Sequence, residues 1–385
     1  MRAVVVGAGV VGLSVAASLA ERGAAVTVLE AGGVASGTSA TSYAWANSNG
    51  KEPGPYFDLN LAGLERLHAE GTGSDWFVPS GHLEWADDPD HVASLSARVG
   101  RLLERGYPAE WVTARRAREL SPALRVPDDA DALAWFPTEG YVHPALFAAR
   151  LRRRAEAHGV VVAPRTPVSA VDDRPGGGVL VRTAAGDAYE ADVVVSCTGR
   201  WTDEVSELLG ARVPMVPRDV VGGAGVGFLA TTAPVAVDHP VLLSSSELNA
   251  RPAGGGRFLL QSTVLDATAD ASTSFALDAE VALDLRDRFA RRFVGGEEAR
   301  IEAFVVGQRA MPADGLSVVG HLGDAGDRYV VATHSGVTLS LALGGWVAEE
   351  VLGERLPLLE AFRPARLLDP ERTFAAPVPR LPGQQ

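Results

Sequence analysis

Residues 4–30 read VVVGAGVVGLSVAASLAERGAAVTVLE, a valine strand, a glycine-rich turn, a helix and a second apolar strand that ends on Glu30. Glycines at such a turn bring backbone N–H groups close to a pyrophosphate, and the helix N-terminus adds partial positive charge. An acid about 20 residues further on accepts a hydrogen bond from an adenosine ribose. The stretch therefore predicts a binding unit for an adenine dinucleotide. The contacts are assigned to Gly7, Gly9, Val10, Val11, Gly12, Glu30 and Ala31.

A signal peptide is the alternative interpretation of the same stretch, because residues 3–20 are uncharged and Arg2 precedes them. Three glycines within six residues would disrupt the apolar helix of a signal peptide. The chain also runs directly into a second apolar strand instead of a cleavage region. These features favour the dinucleotide unit.

Composition excludes several classes of protein. A length of 385 residues predicts about two domains, and the net charge of −13 argues against nucleic acid or an anionic membrane as partner. The single cysteine, Cys197, excludes an internal disulfide and a cysteine-rich metal site. We find no zinc-type His/Cys spacing, so no metal is predicted. No long apolar stretch predicts a membrane span, and the default location is the cytoplasm.

Hydrophobic periodicity predicts the secondary structure of the rest of the chain. Helices are predicted at residues 59–70, 90–105, 144–158, 280–293 and about 338–352. Strands are predicted at residues 160–162, 179–181, 193–195, 226–230, 258–262, 301–306 and 329–332. A Pro-rich tail from residue 357 is expected to wrap the surface.

The dinucleotide unit is too short to stand alone, so later strands must complete its sheet. The apolar segments 192–199 and 329–336 each end in small residues, where a backbone can approach a ligand. A discontinuous nucleotide domain follows, with residues 1–45, 60–80, 141–217 and 316–385. Residues 46–59, 81–140 and 218–315 are then left for a second, antiparallel domain that covers the reactive part of the cofactor.

Further motifs follow in order along the chain. They are SGTS at 36–39, GHL at 81–83, EGYVHP at 139–144, GQRAMPADG at 307–315 and THSGVTL at 333–339. Together with the N-terminal turn, this series resembles the D-amino-acid oxidase, glycine oxidase and sarcosine oxidase superfamily of FAD-dependent oxidoreductases, over essentially the whole chain. Ala310 departs from the proline usual in that family, and the last turn is less glycine-rich than usual. These departures leave the substrate undefined.

The resemblance implies an α/β fold, with a Rossmann-like FAD-binding domain of the glutathione-reductase type and a second antiparallel-sheet substrate domain. It implies FAD-dependent oxidation of a C–N bond in an amino acid or amine-bearing small metabolite. Hydride transfer to the flavin gives an imine, and oxygen is the expected acceptor, with release of H₂O₂. Non-covalent FAD is expected, because no cysteine stands where sarcosine oxidases attach their flavin.

The resemblance places two candidate catalytic residues. Arg309 lies where family members clamp a substrate carboxylate, which suits a bidentate guanidinium; a structural salt bridge is the alternative. His334 precedes a helix expected to point its N-terminus at the flavin. It is predicted to contact substrate, to tune the flavin or to form a covalent link to it, and the alternative is a neutral histidine hydrogen-bonded within the turn.

Other positions are candidates for binding. The remaining FAD contacts are assigned to Thr38, Ser39, Val168, Thr198, Gly199, Trp201, Ser335, Gly336, Val337 and Thr338. Asn47 and Tyr141 are candidate substrate contacts, with ordinary packing as the alternative. Cys197 is interpreted as a small buried residue beside the cofactor. Lys51 is the only lysine, and its place in an early loop argues against equivalence with the oxygen-activating lysine of sarcosine oxidases.

Three other functions stay open at this point. The first is an amine or amino-acid dehydrogenase that passes electrons to a quinone or a carrier protein. The second is a flavin-binding subunit of a larger complex. The third is a nicotinamide-dependent dehydrogenase, since Glu30 suits the adenosine ribose of either cofactor.

Overall fold

The structure of the chain, a computed structural model, describes residues 1–369 and 371–374. The helices are α1 Val10–Glu21, α2 Pro55–Gly71, α3 Pro89–Glu104, α4 Ala114–Leu120, α5 Pro144–Ala157, α6 Thr202–Leu208, α7 Glu280–Arg292 and α8 Gly336–Val351. The end of the predicted segment 316–385, with the last part of the Pro-rich tail, lies outside the described residues.

Short strands lie between these helices, and several of them follow one another directly. They are β1 Arg2–Val6, β2 Ala25–Leu29, β3 Trp45–Ala46, β4 Phe77–Val78, β5 His82–Trp85, β6 Glu110–Trp111, β7 Leu133–Phe136, β8 Gly140–Val142, β9 Val161–Ala163, β10 Val168–Asp173, β11 Val179–Thr183, β12 Ala188–Ala191, β13 Val193–Ser196, β14 Val226–Thr232, β15 Leu242–Ser245, β16 Asn249–Gly254, β17 Arg257–Gln261, β18 Ile301–Gln308, β19 Val318–His321 and β20 Arg328–Ala332.

A six-stranded sheet with the order β19-β20-β13-β1-β2-β9 holds the N-terminal unit. The pairs from β20 to β9 are parallel, and β19 joins the edge antiparallel to β20. The central strand β1 pairs Val4 with Thr27 on one side and with Val194 on the other. Strands buried on both faces are continuous apolar runs, which is why three valines in a row suit β1 and β13. The two segments that the sequence assigned to this sheet therefore do complete it.

Helices α1 and α8 pack closely against each other over this sheet. Both are apolar around most of their circumference, as expected for helices buried between other elements. A Cβ atom on Gly344 of α8 would lie 2.8 Å from the backbone oxygen of Ser14 in α1. Small residues at this crossing therefore set how closely the two helices approach.

A second, eight-stranded sheet has the order β18-β14-β17-β16-β15-β5-β7-β6. Its strands come from residues 82–136 and 226–308. The pairs are antiparallel except for β5 and β15, which run parallel, with Leu83 opposite Leu243. Helix α7 covers it, and fully buried Phe228, Phe289 and Phe293 fill the core between them. The expected antiparallel sheet thus contains one parallel pair, because a long connection returns the chain beside β5.

The fold also contains two small, three-stranded sheets. One has the order β10-β11-β12, and the other has the order β3-β8-β4, with Trp45 opposite Tyr141. Three of the predicted domain boundaries fall inside continuous elements: the one at 45/46 within β3, the one at 59/60 within α2 and the one at 140/141 within β8. Helix α2 begins earlier than predicted because Pro55 occupies its first turn, a position that needs no N–H donor. The partition of the chain into two domains stays a prediction.

Replacing Gly344 with alanine is expected to destabilise the protein. The added methyl group meets the Ser14 backbone and must push α8 away from α1, at a cost of about 1–3 kcal/mol. Gly345→Ala, one residue along the same helix, is the matched control, because no atom lies within 4 Å of its added Cβ. It should be neutral or stabilising by up to about 1 kcal/mol. Urea unfolding measures both, and equal midpoints for the two variants would contradict this account of the helix crossing.

Candidate active site

A cavity of about 770 Å³ lies at the carboxyl ends of the parallel strands and extends to the second sheet. Its near wall is formed by the residues that follow β1, β2, β13 and β20, the usual ligand position in an open α/β sheet. Its far wall takes Leu229 from β14, Gln261 from β17 and Gly307 from β18. One space therefore joins the predicted dinucleotide site to the second sheet.

The glycine turn is shaped so that side chains are excluded. Gly7 has a φ of +104°, and a Cβ there would lie 2.5 Å from the carbonyl oxygen of Cys197. A Cβ on Gly12 would overlap the carbonyl oxygen of Gly7. Gly9 caps α1, whose first N–H groups have no partner within the helix and face the cavity side. This geometry fits a pyrophosphate, which needs close backbone approach and N–H donors.

Glu30 is held in place by the turns on both sides of it. Its two carboxylate oxygens accept hydrogen bonds of 2.8 Å each, from the backbone N–H groups of Ala8 and Gly32. Each oxygen keeps a further lone pair for a ribose hydroxyl group. Glu30, Ala31 and Val168 line the cavity at this end, as the adenosine assignment requires.

The loop that follows β2 joins the glycine turn to the second sheet. The hydroxyl of Ser39 accepts a bond of 3.3 Å from the Val10 N–H, and the Thr38 hydroxyl donates to the Gln308 carbonyl at 3.0 Å. Trp201 packs against this loop, since a Cβ on Gly37 would lie 3.0 Å from its ring. The loop therefore connects the nucleotide end of the cavity to the end of β18 through hydrogen bonds.

The N-terminus of α8 opens onto the cavity through residues 334–338. His334 Nε2 lies 3.0 Å from the Gly315 carbonyl oxygen, which only accepts, so this nitrogen carries a hydrogen. The hydroxyl of Tyr56 lies 3.1 Å from the same nitrogen and 2.8 Å from Ser335 Oγ. The turn is thus held to α2 by a network of side chains.

Arg309 lines the cavity just after β18, and its side chain is 21% exposed. Nη1 donates to the carbonyl oxygens of Ala224 and Val226, at 2.9 and 2.7 Å. Nη2 lies 3.7 Å from Asp266 Oδ2. Burial lowers the pKa of Arg309 and Asp266 opposes that shift, so the guanidinium stays charged at neutral pH. The Arg309 guanidinium is therefore a fixed cation, with Nη1 anchored to two backbone carbonyls.

A buried carboxylate, Glu139, fixes the loop between β3 and α2. Its oxygens accept bonds from the Trp45 indole at 2.9 Å, the Tyr107 hydroxyl at 2.7 Å and the Asn49 side chain at 2.9 Å. His82 Nδ1 lies 3.3 Å from the same carboxylate. This network anchors the loop from within the core, because every member is buried.

The network continues to a second buried acid, Glu84. Arg98 donates both to Glu84 and, at 2.9 Å, to the side-chain oxygen of Asn49. His91 Nε2 lies 2.8 Å from Glu84. Burial raises the pKa of Glu84, but the charge of Arg98 and the bond from His91 outweigh burial and lower it to about 2. Glu84 is therefore ionised at neutral pH and balances the buried guanidinium.

Asp87, Asp88 and His91 also bring three possible ligand atoms within 4.8 Å of one another. Asp87 pairs with Arg292 at 2.8 Å, and Asp88 caps α3 through the His91 N–H at 3.0 Å. Both nitrogens of His91 have partners, Glu84 and Ser246. These contacts account for the cluster, and we propose no metal there.

The structure brings most of the predicted site residues together around the one cavity. The exceptions are Gly12, which lies beneath the turn, and Tyr141, whose ring packs 4.8 Å from the Arg251 guanidinium. Asn47 lines the cavity, and its N–H donates to Thr338 Oγ1 at 3.4 Å. The catalytic, cofactor and substrate roles of these residues stay predictions.

Many lining residues were not among the predicted site, and Lys51 and Gln261 are two of them. Lys51 was assigned to an early loop and given no site role, yet it lines the cavity and is only 8% exposed. Its status as the only lysine is the sequence feature that could have singled it out. Gln261, at the end of β17, carries no motif that could have identified it.

Comparisons with known proteins agree with this geometry. A family model for FAD dependent oxidoreductases matches residues 2–350. Glycine oxidase of Geobacillus kaustophilus (strain HTA426) is 27% identical over 358 residues, 90% of this chain and 92% of the relative. The family match confirms FAD as the predicted cofactor.

Solved structures share the fold. Glycine oxidase from Geobacillus kaustophilus superposes with a TM-score of 0.82 at 22% identity, covering 97% of this chain and 100% of that one. L-proline dehydrogenase from P. horikoshii gives a TM-score of 0.80 at 20% identity, with 95% and 97% covered. The predicted fold class is thereby confirmed. Within the described residues, no helix has the length and apolar character needed to cross a membrane.

Gly12→Ala is expected to weaken FAD binding about tenfold or more, because the methyl group overlaps the Gly7 carbonyl and must open the turn. Gly100→Ala in α3 is the control, since no atom lies within 4 Å of its added Cβ. Flavin absorbance per protein after gel filtration, and the dissociation constant from reconstitution, measure the effect. Full FAD retention in Gly12→Ala would show that the turn tolerates a side chain.

Proposed function

This chain belongs to the family of FAD dependent oxidoreductases, and we propose that it oxidises the C–N bond of an amino acid or amine-bearing small metabolite, with oxygen as the electron acceptor. The observation that carries the proposal is the shared cavity, in which the dinucleotide turn, the N-terminus of α8 and the Arg309 guanidinium line one space. The 27% identity to a glycine oxidase over 90% of the chain supports an amino acid as substrate.

The chain's own residues supply binding and orientation. The turn at residues 7–12 and Glu30 hold the dinucleotide, while residues 334–338 face the other end of the cavity. Bound FAD would supply the acceptor for a hydride from the carbon that bears the amine, and would pass two electrons and two protons to O₂ as H₂O₂. The imine product would be hydrolysed by water to an oxo acid and ammonia or a smaller amine.

Arg309 is proposed to hold the substrate carboxylate. Its anchoring to the carbonyls of Ala224 and Val226 fixes the plane of the guanidinium before substrate binds. A preorganised cation loses little side-chain entropy when it binds a carboxylate. Asp266 supports the position of the guanidinium and partly offsets its charge.

His334 is proposed to act as a polar group on the wall near the reacting bond. Its Nε2–H donates to the Gly315 carbonyl, which fixes the orientation of the ring at this wall. The adjoining N–H groups of α8 add partial positive charge at the same wall. These N–H groups favour negative charge in this part of the cavity.

The proposal is tested by mixing the oxidised holoenzyme anaerobically with a panel of amino acids and amines. At least one amino acid should bleach the flavin absorbance, and admission of air should restore it with about one H₂O₂ per flavin. Bleaching without reoxidation by air would favour a dehydrogenase, the activity of one structural neighbour. Failure of every amine to bleach the flavin would count against C–N oxidation.

Arg309→Ala is expected to raise the KM for amino-acid substrates by about 10- to 100-fold, because a charge-assisted pair of hydrogen bonds is lost. FAD content and the kinetics of the corresponding decarboxylated amines should change little. Arg309→Lys should recover part of the affinity, since an ammonium keeps the positive charge but lacks the two parallel N–H donors of a guanidinium. Arg257→Ala is the control, because Arg257 begins β17 of the same sheet, has an exposed side chain paired with Glu302 and does not line the cavity. Unchanged KM in Arg309→Ala would exclude the clamp.

A further inference from the structure

Two of the chain's four glutamines, Gln261 and Gln308, line the cavity. Gln308 Nε2 donates to the Arg218 carbonyl at 2.8 Å, so this amide already belongs to the protein's own hydrogen-bond network. The side-chain amide of Gln261 has no hydrogen-bond partner within residues 1–369 and 371–374, although the residue is only 6% exposed. The two amides therefore differ in what they offer to a ligand.

The strand β17 directs the Gln261 side chain toward the cavity. Successive side chains of a strand point to opposite faces of the sheet. Phe258 and Leu260 belong to the core between the sheet and α7, so Leu259 and Gln261 lie on the opposite face. That face borders the cavity, and neither amide atom of Gln261 is enclosed by the surrounding protein atoms. The amide is therefore open to a ligand in the cavity.

Apolar side chains adjoin Gln261 in the cavity wall. Tyr43 and Leu229 line the cavity and pack in one cluster with Leu259, and Leu229 belongs to the adjoining strand β14. An amide that has no partner when ligands fill the cavity and exclude water costs free energy. The amide has one acceptor oxygen and two N–H donors, so a hydroxyl group or another amide can satisfy it.

Gln261 and Arg309 lie on the same wall of the cavity. Strand β14 pairs antiparallel with both β17 and β18, which places the end of β17 beside the first half of β14. Nη1 of Arg309 is anchored to the carbonyl of Val226, the first residue of β14. The cation and the amide therefore face the cavity from neighbouring strands, at separate places on one wall.

We propose that Gln261 is a specificity-determining residue, which hydrogen-bonds an uncharged polar group in the substrate side chain while Arg309 holds the carboxylate. The preferred substrates are then amino acids whose side chain ends in a hydroxyl or an amide. This inference rests on the proposed function and narrows its substrate class.

The neutrality of the amide favours an uncharged group. An ionised side chain buried beside Gln261 would need a counter-charge, and the amide supplies only a dipole. An apolar side chain would fill the space but leave the amide without a partner, which is how a polar site rejects an apolar analogue strongly. Leu229 and Tyr43 suit the methylene groups that lead to the polar end of the side chain.

The test is a binding experiment on the oxidised holoenzyme, read by the shift in flavin absorbance. The probes are carboxylates in pairs of equal shape: malonamate with isovalerate, succinamate with isocaproate, and hydracrylate with butyrate. Within each pair an amide or hydroxyl group is replaced by an isopropyl or methyl group. Gln261→Met keeps the length of the side chain and removes the amide. For the preferred pair it should lower the ratio of polar to apolar affinity about 5- to 20-fold, because one buried hydrogen bond is lost.

Gln308→Met is the matched control, because Gln308 also lines the cavity but its amide is bound to the Arg218 carbonyl. It should leave the ratio unchanged. Gln261→Asn keeps an amide one methylene group shorter, so it should shift the preference from malonamate toward succinamate. Gln261→Leu replaces Gln261→Met if the latter does not hold FAD.

Three results would overturn the proposal. The first is an unchanged ratio in Gln261→Met, including the case in which only its affinity for FAD changes, since the amide would then contact the flavin. The second is an equal fall of the ratio in Gln308→Met. The third is failure of every polar probe to bind the wild-type protein.

The experiment separates this inference from the proposed function because it needs no turnover. A protein whose flavin is bleached by amino acids, but whose ratio does not respond to Gln261→Met, keeps the proposed function and loses the role of Gln261. A ratio that falls in Gln261→Met, in a protein whose flavin no amine bleaches, supports the polar site and contradicts the proposed function.

Discussion

The contact between the turn after β1 and the end of β13 is the constraint on which the rest of the structure depends. The Cys197 carbonyl occupies the place that a side chain on Gly7 would need, and the Gly7 carbonyl does the same for Gly12. This close approach lets α1 begin directly above the strand ends. A ligand phosphate can then reach the helix N-terminus because no side chain intervenes.

A second constraint acts from the other side of the cavity. The buried carboxylates of Glu139 and Glu84 hold the loop from Trp45 to Lys51 through Asn49 and Arg98. Buried charges of this kind are stable only when they are paired and hydrogen-bonded. The polar network therefore gives the cavity wall a defined shape that apolar packing alone would specify less strictly.

Much of the fold could be predicted from local patterns. The turn at residues 7–12, the run of valines in β1 and β13, and the helix after Gly336 each carry their signal within a few neighbouring residues. The domain boundaries could not be predicted as well: α2 begins at Pro55 and packs against α8, so the helix runs through the expected boundary at 59/60. The parallel pairing of β5 with β15 likewise depends on residues about 160 positions apart.

By itself, the sequence determined the dinucleotide turn, the acid at position 30, the α/β class and the family, because glycine spacing and hydrophobic period act over short distances. Only the tertiary structure decided which side chains surround the cavity. It anchors Arg309 to the carbonyls of Ala224 and Val226. It also packs Tyr141 against Arg251 and places Lys51 in the cavity wall beside Tyr56. These placements follow from long-range packing, which no local pattern records.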